Sequence, residues 1–166
     1  DTGWSATWAS TMFRLKPSQM FMRAAGSLGW SYPASLGAKC GAPERPVICF
    51  CGDGGVYYHM AEMETASRYG INTVTVINNN SRLNQCIPYV QEAYTNTDDN
   101  FNDYRENVTF QKNSFASIAE SFGIKGIRVE KPEEIIPTIE MGLKLKEPVI
   151  IEVITDWFSD GPLSPI

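Results

Sequence analysis

The sequence predicts an α/β fold: a doubly wound, mostly parallel sheet with helices on both faces. Three observations predict it. Strand candidates alternate with helical patterns along the chain. Those strand candidates are continuously apolar rather than alternating, the mark of strands covered on both sides. Polar clusters also stand where two of them end, Gly52-Asp53-Gly54-Gly55 after one and Asn78-Asn79-Asn80 after the next. In open parallel sheets ligands bind outside the carboxyl ends of the strands.

Taken in order, residues 5–14 read as a short helix and PSQMFMRA (17–24) as a strand. GSLGWSYPASLGAKCGA holds a loop leading into a helix that begins near Pro33, since proline suits a first helical turn. RPVICFC is a strand, YHMAEMETASRYG a helix stopped by Gly70, and NTVTVI a β-branched strand. Residues 81–113 are polar, rich in Asn, Asp and Tyr, and without a period. A loop of that length is functional or disordered. SFASIAESFG reads as a helix with Ser114 as N-cap and Gly123 as stop. KGIRVE is a strand, PEEIIPTIEMGLKLK a helix in which Pro137 predicts a kink or a shifted boundary, and PVIIEVIT a last buried strand.

The 166 residues suffice for a single domain, 1–166, with a real core. A formal net charge of -5 argues against a broad nucleic-acid surface. No apolar run approaches the roughly 20 residues that span a bilayer, and no secretory leader is visible. Cys40, Cys49, Cys51 and Cys86 do not have paired zinc spacing, and one histidine is there to help them. The expectation is a cytoplasmic protein with reduced, packed thiols. DTGWSATW enters in mid-fold with no initiator Met, so the chain reads as a piece or subunit of a larger enzyme.

Glycines flanking Asp53 free the backbone and clear the approach to a ligand. The helix that follows presents N–H groups suited to a phosphate. A carboxylate beside a phosphate is repulsive unless a cation lies between them, so Asp53 reads as a ligand for Mg²⁺ or Ca²⁺ bridging to phosphate oxygens. An Asn carboxamide oxygen after the next strand would serve the same cation. Each half alone is also consistent with an ordinary turn. The pair is far more specific.

The combination GDGG…NNN resembles the G-D-G…N-N signature of thiamine diphosphate enzymes. AAGSLGWSYPASLGAKCGAPERPVICFCGDGG is similar to the corresponding segment of the acetohydroxyacid synthase, pyruvate oxidase and benzoylformate decarboxylase group. The likeness runs from about Trp4 to Thr155 and implies the carboxyl-terminal, diphosphate-binding domain of such an enzyme. It implies Mg²⁺ held by Asp53, Asn80 and the Arg82 carbonyl. Thiamine diphosphate would lie along Gly52, Gly54 and Gly55, the last two offering N–H groups. Gly26, Ser27 and Leu28 would flank its aminopyrimidine, with Leu28 the wedge that bends the cofactor.

The activating glutamate of the family stands on another domain, so no catalytic side chain is expected here, and a pyrimidine-binding domain or subunit is the implied partner in an oligomer. The implied activity is that of a lyase or transferase: an acetohydroxyacid-synthase-like carboligase on 2-keto acids, or a benzoylformate-type decarboxylase or 2-hydroxyacyl-CoA lyase. A non-catalytic assembly subunit that kept the fold is the alternative of another class. Tyr57, His59, Arg82, Gln85 and Cys86 depart from the common pattern and leave the substrate open. His59 is expected at the entry to a helix.

Overall fold

The computed structural model describes residues 1–95 and 104–156. Seven helices and four strands follow one another along these residues: α1 (Trp4–Met12), α2 (Ser31–Gly41), β1 (Ile48–Gly52), α3 (Asp53–His59), α4 (Glu62–Tyr69), β2 (Val74–Asn79), α5 (Ile87–Thr95), α6 (Phe115–Ser121), β3 (Lys125–Val129), α7 (Pro132–Lys144) and β4 (Val149–Ile154). The strands form one sheet in the order β1-β2-β4-β3, and every pairing is parallel.

Both faces are covered, as continuous apolar strands require. Cys49, Cys51, Ile77 and Ile150 point to one side and pack with Tyr32 and Leu36 of α2, Val56 of α3, Met63 and Ala66 of α4, and Phe115 and Ala119 of α6. Val74, Val76, Val129, Val149, Ile151 and Val153 point to the other, against Ile135 and Ile139 of α7. Alternation along β2 and β4 thus assigns each residue to one of two cores.

Several elements differ from the sequence reading. Residues 17–24 hold a turn and irregular chain rather than a strand. Met20 and Met22 are exposed, so that apolar pattern has no sheet to enter. The helix expected from Tyr58 begins earlier, at Asp53, and breaks at Met60–Ala61 into α3 and α4. His59 therefore closes α3 instead of opening a helix. Helix α2 starts at Ser31 and carries Pro33 in its first turn. Strand β2 continues through Asn78 and Asn79, so only Asn80 lies beyond it. Pro137 sits inside α7, which nevertheless runs on to Lys144.

The stretch 81–113 is more ordered than its composition suggested. Residues Asn84–Cys86 and Tyr104–Asn107 form 3-10 turns around α5, and residues 96–103 of the expected loop lie outside the described residues. Arg82 and Thr109 form an antiparallel bridge, with Leu83 N–H donating to the Val108 carbonyl at 2.8 Å and Phe110 N–H to that of Ser81 at 2.8 Å. Helix α5 buries none of its residues, which is why no apolar stripe announced it. No helix among the described residues is long and apolar enough to cross a membrane.

Candidate functional site

The site grows from the register of two neighbouring strands. Gly52, the last residue of β1, pairs with Asn78 of β2. The first residue past each strand end therefore emerges at the same edge of the sheet. Asp53 opens α3 from the extended Gly52 and is 3% exposed. Its Oδ1 accepts from Gly54 N–H at 2.7 Å, and its Oδ2 accepts from Arg82 N–H at 3.2 Å. Asn80 Oδ1 accepts from that same Arg82 N–H at 3.1 Å. One carboxylate oxygen and one carboxamide oxygen thus converge on a single amide.

Burial pushes the Asp53 carboxyl up to about 6, while backbone N–H donors led by Gly54 and Arg82 pull the other way. At neutral pH the group is ionised, and among the described residues no cationic side chain is bonded to it. A buried anion without a cation is costly. Ser81, between Asn80 and Arg82, has a φ of +57°, an uncommon left-handed conformation for a non-glycine residue. That turn doubles the chain back so that Arg82 N–H meets both oxygens.

A cavity of about 140 Å³ opens at this point. Its walls include Gly52, Asp53, Gly54 and Gly55 from one strand end, Asn80 and Arg82 from the other, and Leu28 across from them, with Gln85 and Cys86 also at its edge. A second cavity of about 480 Å³ adjoins it, sharing Trp4, Asn78 and Asn80 and running to Pro132 and Ile135 of α7. Gly26 and Ser27 are exposed and line neither cavity. Seven of the nine residues expected at the site share the first cavity.

Residues 1–153 match the family described as Thiamine pyrophosphate enzyme, C-terminal TPP binding domain. The chain belongs to this family. Curated relatives of this thiamine pyrophosphate-binding domain include an acetolactate synthase of Bacillus subtilis, 31% identical over 95% of this chain and 26% of the relative. A mitochondrial acetolactate synthase of Schizosaccharomyces pombe is 33% identical over 89% of this chain and 21% of the relative. Among solved structures, the thiamine diphosphate-dependent 4-hydroxybenzoylformate decarboxylase of Rhodococcus jostii RHA1 superposes with a TM-score of 0.67 at 27% identity, covering 78% of this chain and 23% of that one. The chain spans about a quarter of the length of the relatives it matches.

Two residues of the thiamine pyrophosphate-binding domain shape the site in ways the sequence did not show, Asp1 passing without notice and Tyr57 noted only as a departure from the family pattern. Asp1 is buried, and its carboxylate accepts from Gly29 N–H at 3.0 Å, Ser31 N–H at 2.9 Å and Ser31 Oγ at 2.8 Å. It caps α2 from a distance and pins the loop that carries Leu28. A Cβ on Gly55 would stand 3.1 Å from this carboxylate, so Gly55 makes room for Asp1. The second is Tyr57, whose ring packs edge-on to Phe110 and tilted to Phe115, both at 5.0 Å, while its hydroxyl accepts from Asn113 Nδ2 at 2.9 Å. It fastens the segment around residue 110 over α3. Asp1 had no local pattern to betray it, because apart from Thr2 N–H the donors to its carboxylate lie at residues 29 and 31.

His59 is exposed beside Gly29, and a Cβ on Gly29 would come within 2.9 Å of the imidazole Cδ2. Cys86 is an exposed free thiol at the cavity edge. Among the described residues no group of three or more His, Cys, Asp or Glu side chains could hold a metal ion. The donors at the site are instead oxygens, one of them a carboxylate.

Proposed function

We propose that the chain is the thiamine diphosphate- and Mg²⁺-binding domain of an acetohydroxyacid-synthase-like carboligase or lyase acting on 2-keto acids. The observation that carries this reading is the convergence of Asp53 Oδ2 and Asn80 Oδ1 on one amide at adjacent strand ends. A cation at that place fits the residues present. Asp53 supplies the charge, Asn80 and the main-chain carbonyl of Arg82 supply neutral oxygens, and the set is the hard-oxygen chemistry that Mg²⁺ selects while sharing phosphate oxygens. The Trp4 indole N–H, buried without an acceptor among the described residues, adds a donor on the wall of the same cavity and suits an anionic ligand.

In this reading Gly54 and Gly55 let the first turn of α3 approach the diphosphate, and Leu28 supports the ring system from across the cavity. Gly26 and Ser27, exposed beside Leu28, would meet the aminopyrimidine where the partner domain closes over it. When bound, thiamine diphosphate supplies a nucleophilic carbon and an electron sink for cleaving or forming the bond beside a keto carbonyl. This chain's residues bind and orient it and keep water away from its charged end. The activating glutamate belongs to a pyrimidine-binding domain or subunit, so the active site is completed at that interface. A benzoylformate-type decarboxylase is the second reading, favoured by the structural likeness to the Rhodococcus enzyme.

Calorimetric titration of the assembled enzyme with thiamine diphosphate, with and without Mg²⁺, tests the assignment. Asp53→Ala and Asn80→Ala should each weaken Mg²⁺-dependent cofactor binding by more than about tenfold. Unchanged affinity in both variants overturns it. Absence of cofactor binding by the parent protein favours the non-catalytic subunit.

A further inference from the structure

The last strand, otherwise apolar, carries a carboxylate at its centre. Glu152 of β4 is 0% exposed and lies in register with Ile77 of β2 on one side and Arg128 of β3 on the other. A carboxylate so placed survives only if its lone pairs are all engaged. Oε2 accepts from Ser114 Oγ at 3.0 Å and from Ala116 N–H at 3.2 Å, at the start of α6. Oε1 faces Arg128 at 3.5 Å and accepts from Asn79 Nδ2 at 2.7 Å. Every partner is a donor, which a carboxylate alone can satisfy.

The bond to Asn79 has a consequence at the other end of that side chain. With its amide nitrogen held by Glu152 at 2.7 Å and, more loosely, by the Asn113 carbonyl at 3.4 Å, the Asn79 carboxamide turns its oxygen towards Ser81, where it accepts from Ser81 N–H at 3.0 Å and Oγ at 3.4 Å. Those bonds hold Ser81 in its left-handed conformation, and that conformation brings Arg82 N–H onto Asn80 and Asp53. Hydrogen bonds, joined through the Ser81–Arg82 peptide link, therefore run from the buried carboxylate to both oxygens of the candidate cation site. We infer that Glu152 is a positioning residue: acting through Asn79, it fixes the Asn80–Arg82 turn in the geometry that holds the cation. The inference deepens the proposed function and rests on it for the identity of what the turn binds.

Two variants at opposite ends of the link, Glu152→Gln and Asn79→Ala, test it in the full-length enzyme, with Ser114→Ala as a control that removes a donor to the other carboxylate oxygen, Oε2, and leaves the Asn113 carbonyl beside Asn79 in place. The first readout is hydrogen exchange, by mass spectrometry without cofactor, in peptides covering residues 78–83. Both variants should speed exchange there, whereas Ser114→Ala should change exchange only at the start of α6. The second is the Mg²⁺ concentration that half-saturates thiamine diphosphate binding. It should rise about tenfold in both variants and no further in the double variant, while substrate KM at saturating Mg²⁺ stays level. Unchanged exchange at residues 78–83 in both variants overturns the inference. So does a Mg²⁺ requirement equal to the parent's, or one that rises equally in Ser114→Ala. A parent enzyme whose cofactor affinity ignores Mg²⁺ overturns the functional reading instead, and the exchange result still decides whether Glu152 holds the turn.

Discussion

Asp53 shows how one side chain can work against the fold that carries it. Its carboxyl titrates near 6 in the folded protein against 3.8 in the free residue, because burial disfavours the charge. The native state therefore holds that proton more tightly than the unfolded chain. The resulting stabilisation is complete below the unfolded value and is lost as pH rises through 6, a cost on the order of 3 kcal/mol at neutral pH. The cofactor-free protein should accordingly melt at lower temperature as pH is raised from 4 to 6, and Asp53→Asn should flatten that slope in thermal scans. Gly29 illustrates the opposite case, a residue that works for the fold by what it lacks. Its φ is +93°, and a Cβ there would stand 2.5 Å from that of Tyr58. Gly29→Ala should cost about 1–3 kcal/mol in urea unfolding and displace the Leu28 loop.

At the scale of elements, close approach distinguishes glycines that composition treats alike. A Cβ on Gly126 of β3 would fall on the Ala116 carbonyl of α6, a backbone atom that cannot swing aside. Gly126→Ala should destabilise by about 1–3 kcal/mol or more. Gly37, exposed in α2 with nothing within 4 Å of a Cβ, should gain up to about 1 kcal/mol when changed to Ala. Chemical denaturation of the pair would show opposite signs. Such differences explain what the sequence revealed. All four observed strands were legible because VICFC, TVTVI, GIRV and VIIEVI are runs that belong inside a two-sided sheet. Asp53 was legible because three glycines around a carboxylate have few other uses. By contrast, MFMR was misread as a strand because periodicity cannot say whether a partner strand exists. Helix α5 was invisible because it buries no side chain. Glu152 was passed over inside an apolar run, since its partners Asn79 and Arg128 are brought to it only by the sheet and Ser114 only by the packing of α6.

For the whole molecule, the surface carries its own information about assembly. From the end of α1 towards α2 the chain exposes Met12 (60%), Phe13 (52%), Leu15 (51%), Met20 (71%) and Met22 (54%). The same arm holds Arg14, Lys16 and Arg23 with no acidic residue from Thr2 to Arg23, although the chain as a whole has a net charge of -5. Should the proposed pyrimidine-binding partner close the site, this cationic, apolar arm is a surface for it to cover. Hydrogen exchange across residues 12–22 should then be slower in the assembled enzyme than in the isolated chain, and equal rates would place the partner elsewhere. The run Asn78-Asn79-Asn80 has a different import, for tolerance of error. Asn79 serves the interior and Asn80 the cavity, and parity along β2 decides which does which. Were β2 to slip forward by one residue, Asn78 and Asn79 would step into those two places, while Thr75 and Ile77 would exchange cores with Val74 and Val76. Three identical residues in a row give the strand end a spare: a carboxamide would still line the cavity after an indel that inverts the strand beneath it.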